Sequence, residues 1–209
     1  MDLTFYDYWR SSSAYRVRIA LSLKGLSYRT IQVDLLKHEQ SGEAYRKLNP
    51  QGLVPALTCG DQVLTQSLAI IDWLDATFPE PRLIPGDPFA RARALAQVQV
   101  IMADVQPLQN LRVLRFLRKQ FGADEDQVSG WIHHWIGDGF ATLEAQAPDE
   151  GLFGGDQPGI VDLTLVPQMV NARRYGLSLD PFPKLVKIDA LLCALPGFKQ
   201  AAPRSPDQT

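Results

Sequence analysis

Several kinds of feature are scarce in this chain of 209 residues, and each shortage excludes a class of protein. Cysteine occurs twice, at Cys59 and Cys193, far apart and in neither a CxxC nor a metal-ligand spacing. Two such thiols fit a reducing cytoplasm better than a disulfide framework. Histidine occurs three times, and His133 and His134 are neighbours that point to different sides of a helix, so no metal set is expected. Neither sign of charge dominates: 21 basic and 23 acidic residues leave a net charge of −2. That excludes the basic footprint of a nucleic-acid binder. No apolar run approaches the length that spans a bilayer. The opening Met1-Asp2-Leu3-Thr4 lacks the basic and apolar regions of a signal peptide. Internal repeats and low-complexity segments are also missing. The expectation is a cytoplasmic globular protein without metal, nucleic acid or membrane as partner.

What is present is enough apolar material, 45% of residues, for one large domain or two small ones. The first third alternates strand and helix signals. Leu3–Tyr6 reads as a strand and Ser12–Lys24 as a helix, with Val17, Ala20, Leu21 and Lys24 at one spacing and Gly25 placed to end it. Ser27–Val33 reads as a second strand, and Glu39–Leu48 as weakly helical. Leu53–Leu57 and Gln62–Thr65 flank a Gly-Asp turn and predict a hairpin, although Pro55 cannot donate to a ladder. Ser67 is placed to cap a helix over Leu68–Phe78. This order gives a small α/β sheet, parallel at first and ending in the hairpin. Four prolines between Pro79 and Pro88 mark a linker. Beyond it the pattern is helical: Phe89–Phe121 with a kink at Pro107, Asp124–Ala147, Ile160–Tyr175, Lys184–Ala194 and a short turn near Gly197–Ala201. The polar end Pro203–Thr209 reads as a loose tail. The divisions expected are 1–80, a linker over 81–88, and 89–209.

The most informative stretch is Arg10-Ser11-Ser12-Ser13-Ala14-Tyr15-Arg16-Val17-Arg18. Three hydroxyls sit at a strand-to-helix corner, where free N–H groups and the positive end of the helix dipole suit an anion such as a thiolate. The plainer role for one serine is to cap the helix. Loops at the carboxyl ends of strands gather on one edge of such a sheet. Ser11-Ser12, Val54-Pro55 and Gln66-Ser67 therefore converge on one extended ligand. Val54 offers backbone groups in the manner of strand addition, and the helix start at Ser67 suits a carboxylate. In the helical half Arg112, Arg115, Arg173 and Arg174 stand out; planar guanidinium forks suit carboxylates. Trp131 and Trp135, four residues apart, read as core.

These motifs resemble the glutathione transferases and, within them, the zeta class, which includes maleylacetoacetate isomerase and maleylpyruvate isomerase. The resemblance covers essentially the whole chain. It is carried by RSSSAYRVRIAL from Arg10, LNPQGLVPAL from Leu48 and QSLAII from Gln66. In the second half it is carried by QPLQNL from Gln106, Asp162-Leu163, LVPQ from Leu165 and NARRY from Asn171. It implies an α/β thioredoxin-like N-terminal domain plus an all-α C-terminal domain, a homodimer, and glutathione as cofactor. It further implies that Ser12 holds the glutathione sulfur as thiolate, with Ser11 and Ser13 beside it. Pro55 matches the family's cis-proline and Val54 binds the cysteinyl backbone. Gln66 and Ser67 match the γ-glutamyl contacts, Gln51 lies near the glycyl end, and Gln109 approaches glutathione from the other subunit. Arg174 falls on the substrate-carboxylate arginine, Arg10 on an arginine beside the serine corner, and Arg112 on a further substrate contact. Two positions depart from the family pattern: Ser13 stands where cysteine or alanine is usual, and Gly159 replaces the Ser or Thr three residues before Asp162.

The activity so implied is glutathione-dependent cis–trans isomerisation of a small dicarboxylic acid, maleylacetoacetate to fumarylacetoacetate, by thiolate addition, bond rotation and elimination. The alternatives are maleylpyruvate as substrate, a general transferase acting on α-halo acids, and a glutathione-binding module without catalysis. A free thiol near pKa 8.5 is only a few per cent ionised at neutral pH. A helix N-terminus gives an anion up to about 2 kcal/mol, or about 1.5 pKa units, and a serine hydroxyl acts in the same direction.

Overall fold

The computed structural model describes Met1–Arg204; residues 205–209 of the expected tail lie outside the described residues. The chain divides into two compact units, one of Met1–Arg82 together with the helix Pro196–Ala201, the other of Leu83–Ala194. The helix near the carboxyl end thus groups with the first unit, whereas the sequence places everything after 89 in the second.

The first unit is built on a four-stranded sheet in the order β2-β1-β3-β4. Strands β1 (Leu3–Asp7) and β2 (Arg29–Gln32) pair in parallel across α1 (Ser12–Leu23). Strand β3 (Ala56–Cys59) runs antiparallel to β1 and forms a hairpin with β4 (Gln62–Thr65). Between β2 and β3 lie a single 3-10 turn and α2 (Glu43–Leu48). Helix α3 (Ser67–Thr77) follows β4. This is the parallel-then-hairpin α/β sheet expected from the sequence. The hairpin differs in detail: its first strand begins at Ala56, not Leu53, because Pro55 has no N–H to give a ladder. Phe5, Ile19, Leu21, Leu57, Ile70, Ile71 and Leu74 are fully buried between sheet and helices.

Two buried ion pairs close this unit. Arg18 on α1 makes a bidentate pair with Asp7 of β1 at 2.7 and 2.8 Å, and its Nε donates to the Ala201 carbonyl at 2.9 Å. That contact fixes α9 (Pro196–Ala201), whose Phe198 is also buried. Lys24, at the end of α1, is matched by the Asp75 carboxylate at 2.9 Å and by the Phe78 and Pro81 carbonyls. All three ammonium donors are therefore satisfied, as a buried cation requires.

The second unit is helical: α4 (Pro88–Gln99), a π-turn over Val100–Val105, α5 (Leu111–Phe121), α6 (Glu125–Gln146), α7 (Ile160–Arg174) and α8 (Pro183–Ala194). The expected interruption near Pro107 is real, but it is prepared by the π-turn. At Gly139 of α6 a Cβ would collide with the Val105 side chain, so α6 packs against that turn through a missing side chain. Val98, Ile136, Phe140, Leu163, Leu165, Val166, Met169 and Leu185 make the core. Helix α7 starts at Gly159. No side chain caps it at Gly159, but the buried Asp162 carboxylate accepts from the Gly159, Gly154 and Phe153 N–H groups at 2.8, 2.9 and 3.1 Å. One carboxylate thus ties down both the helix start and the loop before it.

Candidate active site

The three serines of the corner have different occupations. Ser11 is the N-cap of α1: its backbone is extended and its hydroxyl accepts from the Ala14 N–H at 3.1 Å. Ser13 accepts from the Arg16 guanidinium at 3.5 Å. Ser12 is the first helical residue and only half-buried. Its carbonyl receives Arg16 Nε at 3.4 Å, while among the described residues its hydroxyl is drawn into no side-chain bond. The sequence left open which serine faces a ligand. With Ser11 capping and Ser13 turned to Arg16, Ser12 is the hydroxyl available at the positive end of a twelve-residue helix. Arg10, just before the corner, is exposed and lies over the Trp9 ring at 5.6 Å.

The second segment is anchored from below. The Leu53 carbonyl accepts from the Tyr45 hydroxyl at 2.8 Å and from Asn49 Nδ2 at 2.7 Å. Burial pushes the Tyr45 phenol up to about 12, so it stays a donor at any physiological pH. The Val54-Pro55 bond is cis, as the resemblance implies. Val54 remains half-buried beside a fully positioned Leu53. Gly52 makes the approach feasible: its φ is +61°, and a Cβ there would meet the Gln40 carbonyl at 2.9 Å. Gly52→Ala is expected to cost about 1–2 kcal/mol of stability and to weaken ligand binding by the same segment. Chemical denaturation together with ligand titration checks both parts.

The third segment corrects one expectation. Ser67 is not the cap of α3; it is the first helical residue, buried, and Gln66 holds the cap position with φ +68° and no side-chain cap bond. The left-handed backbone at Gln66 is costly for a residue with a side chain, and such outliers gather at ligand sites. Gln66 Nε2 donates to Gln51 Oε1 at 2.8 Å. Two residues expected near opposite ends of one ligand therefore stand side by side. Together these segments give the first unit a hydroxyl at one helix start, a held extended strand, and an amide pair with a serine at a second helix start.

In the second unit, Arg174 ends α7, is exposed, and has its Nη1 3.3 Å from Asn171 Oδ1. Its neighbour Arg173 is committed to Asp189 at 2.6 Å. Arg112 and Arg115 lie on the exposed side of α5. Gln109, expected to reach glutathione from another subunit, is 6% exposed, and its amide donates to Gln168 at 2.7 Å inside the unit. Its Oε1 is buried without a hydrogen-bond partner among the described residues. Trp131 is half-buried and donates to the Leu108 carbonyl at 2.8 Å, in keeping with a packing role. Among the described residues no group of His, Cys, Asp and Glu is placed to hold a metal ion, and no helix is long and apolar enough to cross a membrane.

The sequence sets Arg16, with Arg10, beside the serine corner, but it does not show how deeply Arg16 is buried. It is the largest of the fully buried side chains, at 1% exposure, directly behind the corner. Burial lowers its pKa to about 10, which still leaves it a cation at neutral pH. In the sequence it stands one turn into an otherwise apolar helix face.

Comparison with known proteins agrees with this arrangement. Residues 10–77 match the profile described as glutathione S-transferase, N-terminal domain. A maleylacetoacetate isomerase of Pseudomonas aeruginosa is 44% identical over 210 residues, covering 99% of each chain. A holo structure of a maleyl pyruvate isomerase, described as a bacterial zeta-class glutathione S-transferase, superposes with TM-score 0.94 at 43% identity, over 99% of this chain and 100% of that one. A maleylacetoacetate isomerase of Anaeromyxobacter dehalogenans, solved with glutathione, gives TM-score 0.88 at 41% identity over 100% of this chain and 98% of that one. The same isomerase has been solved with dicarboxyethyl glutathione and citrate.

Proposed function

The chain belongs to the glutathione transferase family, and on that premise we propose that it is the glutathione-dependent isomerase that turns maleylacetoacetate into fumarylacetoacetate. The observation that carries the reading is the Ser12 hydroxyl, left available at the start of α1 by the division of labour among three serines. The residues fit glutathione. Val54 offers its backbone to a peptide, Gln66 and Ser67 offer a helix start to the γ-glutamyl carboxylate with Gln51 bracing Gln66, and Ser12 faces the sulfur. When bound, glutathione supplies a thiolate that adds to the cis double bond, permits rotation about the single bond so formed, and leaves again.

The protein's part is binding and electrostatics. The Ser12 hydroxyl donates to the sulfur and favours its charged form, with the α1 dipole acting in the same sense. Arg174 holds a substrate carboxylate with its planar fork, and Arg10 adds positive charge beside the corner. No residue of the corner acts as a strong base, which suits a reaction that returns its thiol and consumes no redox equivalent. A relative that holds dicarboxyethyl glutathione supports the reading, because that molecule joins the thiol and diacid chemistries in one ligand. The proposal includes a homodimer, as the family resemblance implies, working in the cytoplasm, where the free thiols Cys59 and Cys193 are at home.

Maleylpyruvate, a shorter diacid acted on by the same chemistry, is the second reading. It is favoured by the similarity to a maleyl pyruvate isomerase and by the exposed Arg112 after the QPLQN segment. Side-by-side turnover of both diacids, with chlorodinitrobenzene as a conjugation control, decides the matter. A higher kcat/KM for maleylacetoacetate supports the first reading; a higher value for maleylpyruvate replaces it; conjugation without isomerisation removes both. Arg174→Ala is expected to lower kcat/KM for the diacid roughly 10- to 100-fold, the worth of a charged hydrogen-bonded pair, with glutathione affinity unchanged. An unchanged rate at subsaturating diacid would reject the clamp.

A further inference from the structure

Three cations of the first unit are buried, and only two have an anion. Arg18 has Asp7 at 2.7 Å and Lys24 has Asp75 at 2.9 Å. Arg16 is buried as well, at 1% exposure. Its two hydrogen bonds, 3.4 Å to the Ser12 carbonyl and 3.5 Å to the Ser13 hydroxyl, are long and go to uncharged oxygens. Among the described residues no carboxylate pairs with it, and burial alone is what lowers its pKa. The charged groups on neighbouring elements are taken or remote. Asp7 of β1 is bonded to Arg18 and Asp75 of α3 to Lys24, while Asp72 of α3 is exposed. Lys199 of α9 and Arg10 are exposed cations.

A buried charge without a partner is among the costliest arrangements a fold can hold, and it calls for an anion. Arg16 cannot escape by losing its proton near neutral pH. Its guanidinium lies against the first turn of α1, where both serine contacts are made. We propose that Arg16 is the buried counter-charge of the thiolate bound at the serine corner, a positioning residue that acts through the first turn of α1 without touching the substrate. This rests on the proposed glutathione site and goes beyond it. Helix dipole and Ser12 hydroxyl supply partial charges; Arg16 supplies a whole one in a medium of low dielectric. Ser13, where the family has cysteine or alanine, gives the guanidinium a neutral acceptor that steers it without cancelling its charge.

The test reads the ionisation of bound glutathione from its ultraviolet thiolate absorbance across pH, using the full chain. Arg16→Met keeps the bulk and removes the charge. It is expected to raise the pKa of the bound thiol by about one unit, a roughly tenfold loss of thiolate below that pKa. Arg16→Lys keeps the charge and is expected to lose less than half of that shift. A merely structural arginine would change the melting temperature of Arg16→Met and leave the thiol pKa where it was, and that result would overturn the inference. Failure of the unaltered protein to bind glutathione would instead overturn the proposed function. Should Arg16→Met not fold, the unaltered protein decides by a salt series from about 0.02 M to about 0.5 M. A buried counter-charge is poorly screened, so the thiol pKa holds within about 0.3 unit, whereas a marked rise with salt assigns the charge to the surface and overturns the inference.

Discussion

Ser12→Ala is expected to lower kcat for isomerisation about 100- to 1,000-fold, with glutathione affinity changed less than about tenfold. The magnitude is that of removing one preorganised donor from a developing or resident anion. The asymmetry follows from how glutathione is held. In the proposed site Val54, Gln66 and Ser67 hold the peptide wherever its sulfur proton resides, so binding is expected to survive. Ionisation of the sulfur depends on the donor that faces it. The two other serines supply internal controls. Ser11→Ala removes the cap bond to Ala14 and is expected to cost about 1 kcal/mol of stability while leaving kcat within a few-fold. Ser13→Ala removes only the long bond from Arg16. If Ser12→Ala retains its rate and Ser11→Ala loses it, the roles assigned here are reversed. Steady-state kinetics and glutathione titration of the three variants separate these outcomes.

The largest effect on stability is expected at Asp162. Its carboxylate accepts three backbone N–H groups, from Phe153, Gly154 and Gly159, and is itself fully buried. Burial pushes this carboxyl above its ordinary value, while the three N–H bonds pull it down. Asp162→Ala leaves three backbone donors without an acceptor and removes the side chain that ties the start of α7 to the loop before it. The loss is expected to be about 3 kcal/mol, or roughly 6–12 °C in melting temperature for a chain of this size. Because the effect lies in folding, kcat per folded molecule stays the same. Asp162→Asn recovers part of the loss, since its amide oxygen can still accept but its NH2 faces a donor. Thermal unfolding with activity normalised to folded protein checks this; a fall in kcat at full folding would place Asp162 in catalysis.

Much of this was legible in the sequence where a local rule has no competitor. Strand β1, helix α1 with its stop at Gly25, and the helices of the second unit follow from periodicity and punctuation. The serine corner stood out as a candidate anion site because hydroxyls, a helix start and arginines coincide within nine residues. Where the reading strayed, a tertiary demand had overridden a local one. Ser67 looks like a cap by residue type, yet the left-handed backbone at Gln66 moves the helix start by one residue. The hairpin looks as though it begins at Leu53, yet Leu53 spends its carbonyl on Tyr45 and Asn49. Arg16 was legible as an arginine beside the corner, but its burial was not, for the same reason. An arginine in an amphipathic helix is expected to face water, and only the packing around α1 shows that it does not.

The central claim is that the serine corner lends its charge stabilisation to a thiol that is returned unchanged. Following diacid and free glutathione together through many turnovers tests it most directly. The account predicts complete conversion of the cis diacid to the trans form, strict dependence on glutathione, and a glutathione concentration that is the same at the end as at the start. Turnover without glutathione, or loss of one glutathione for each diacid consumed, would contradict it.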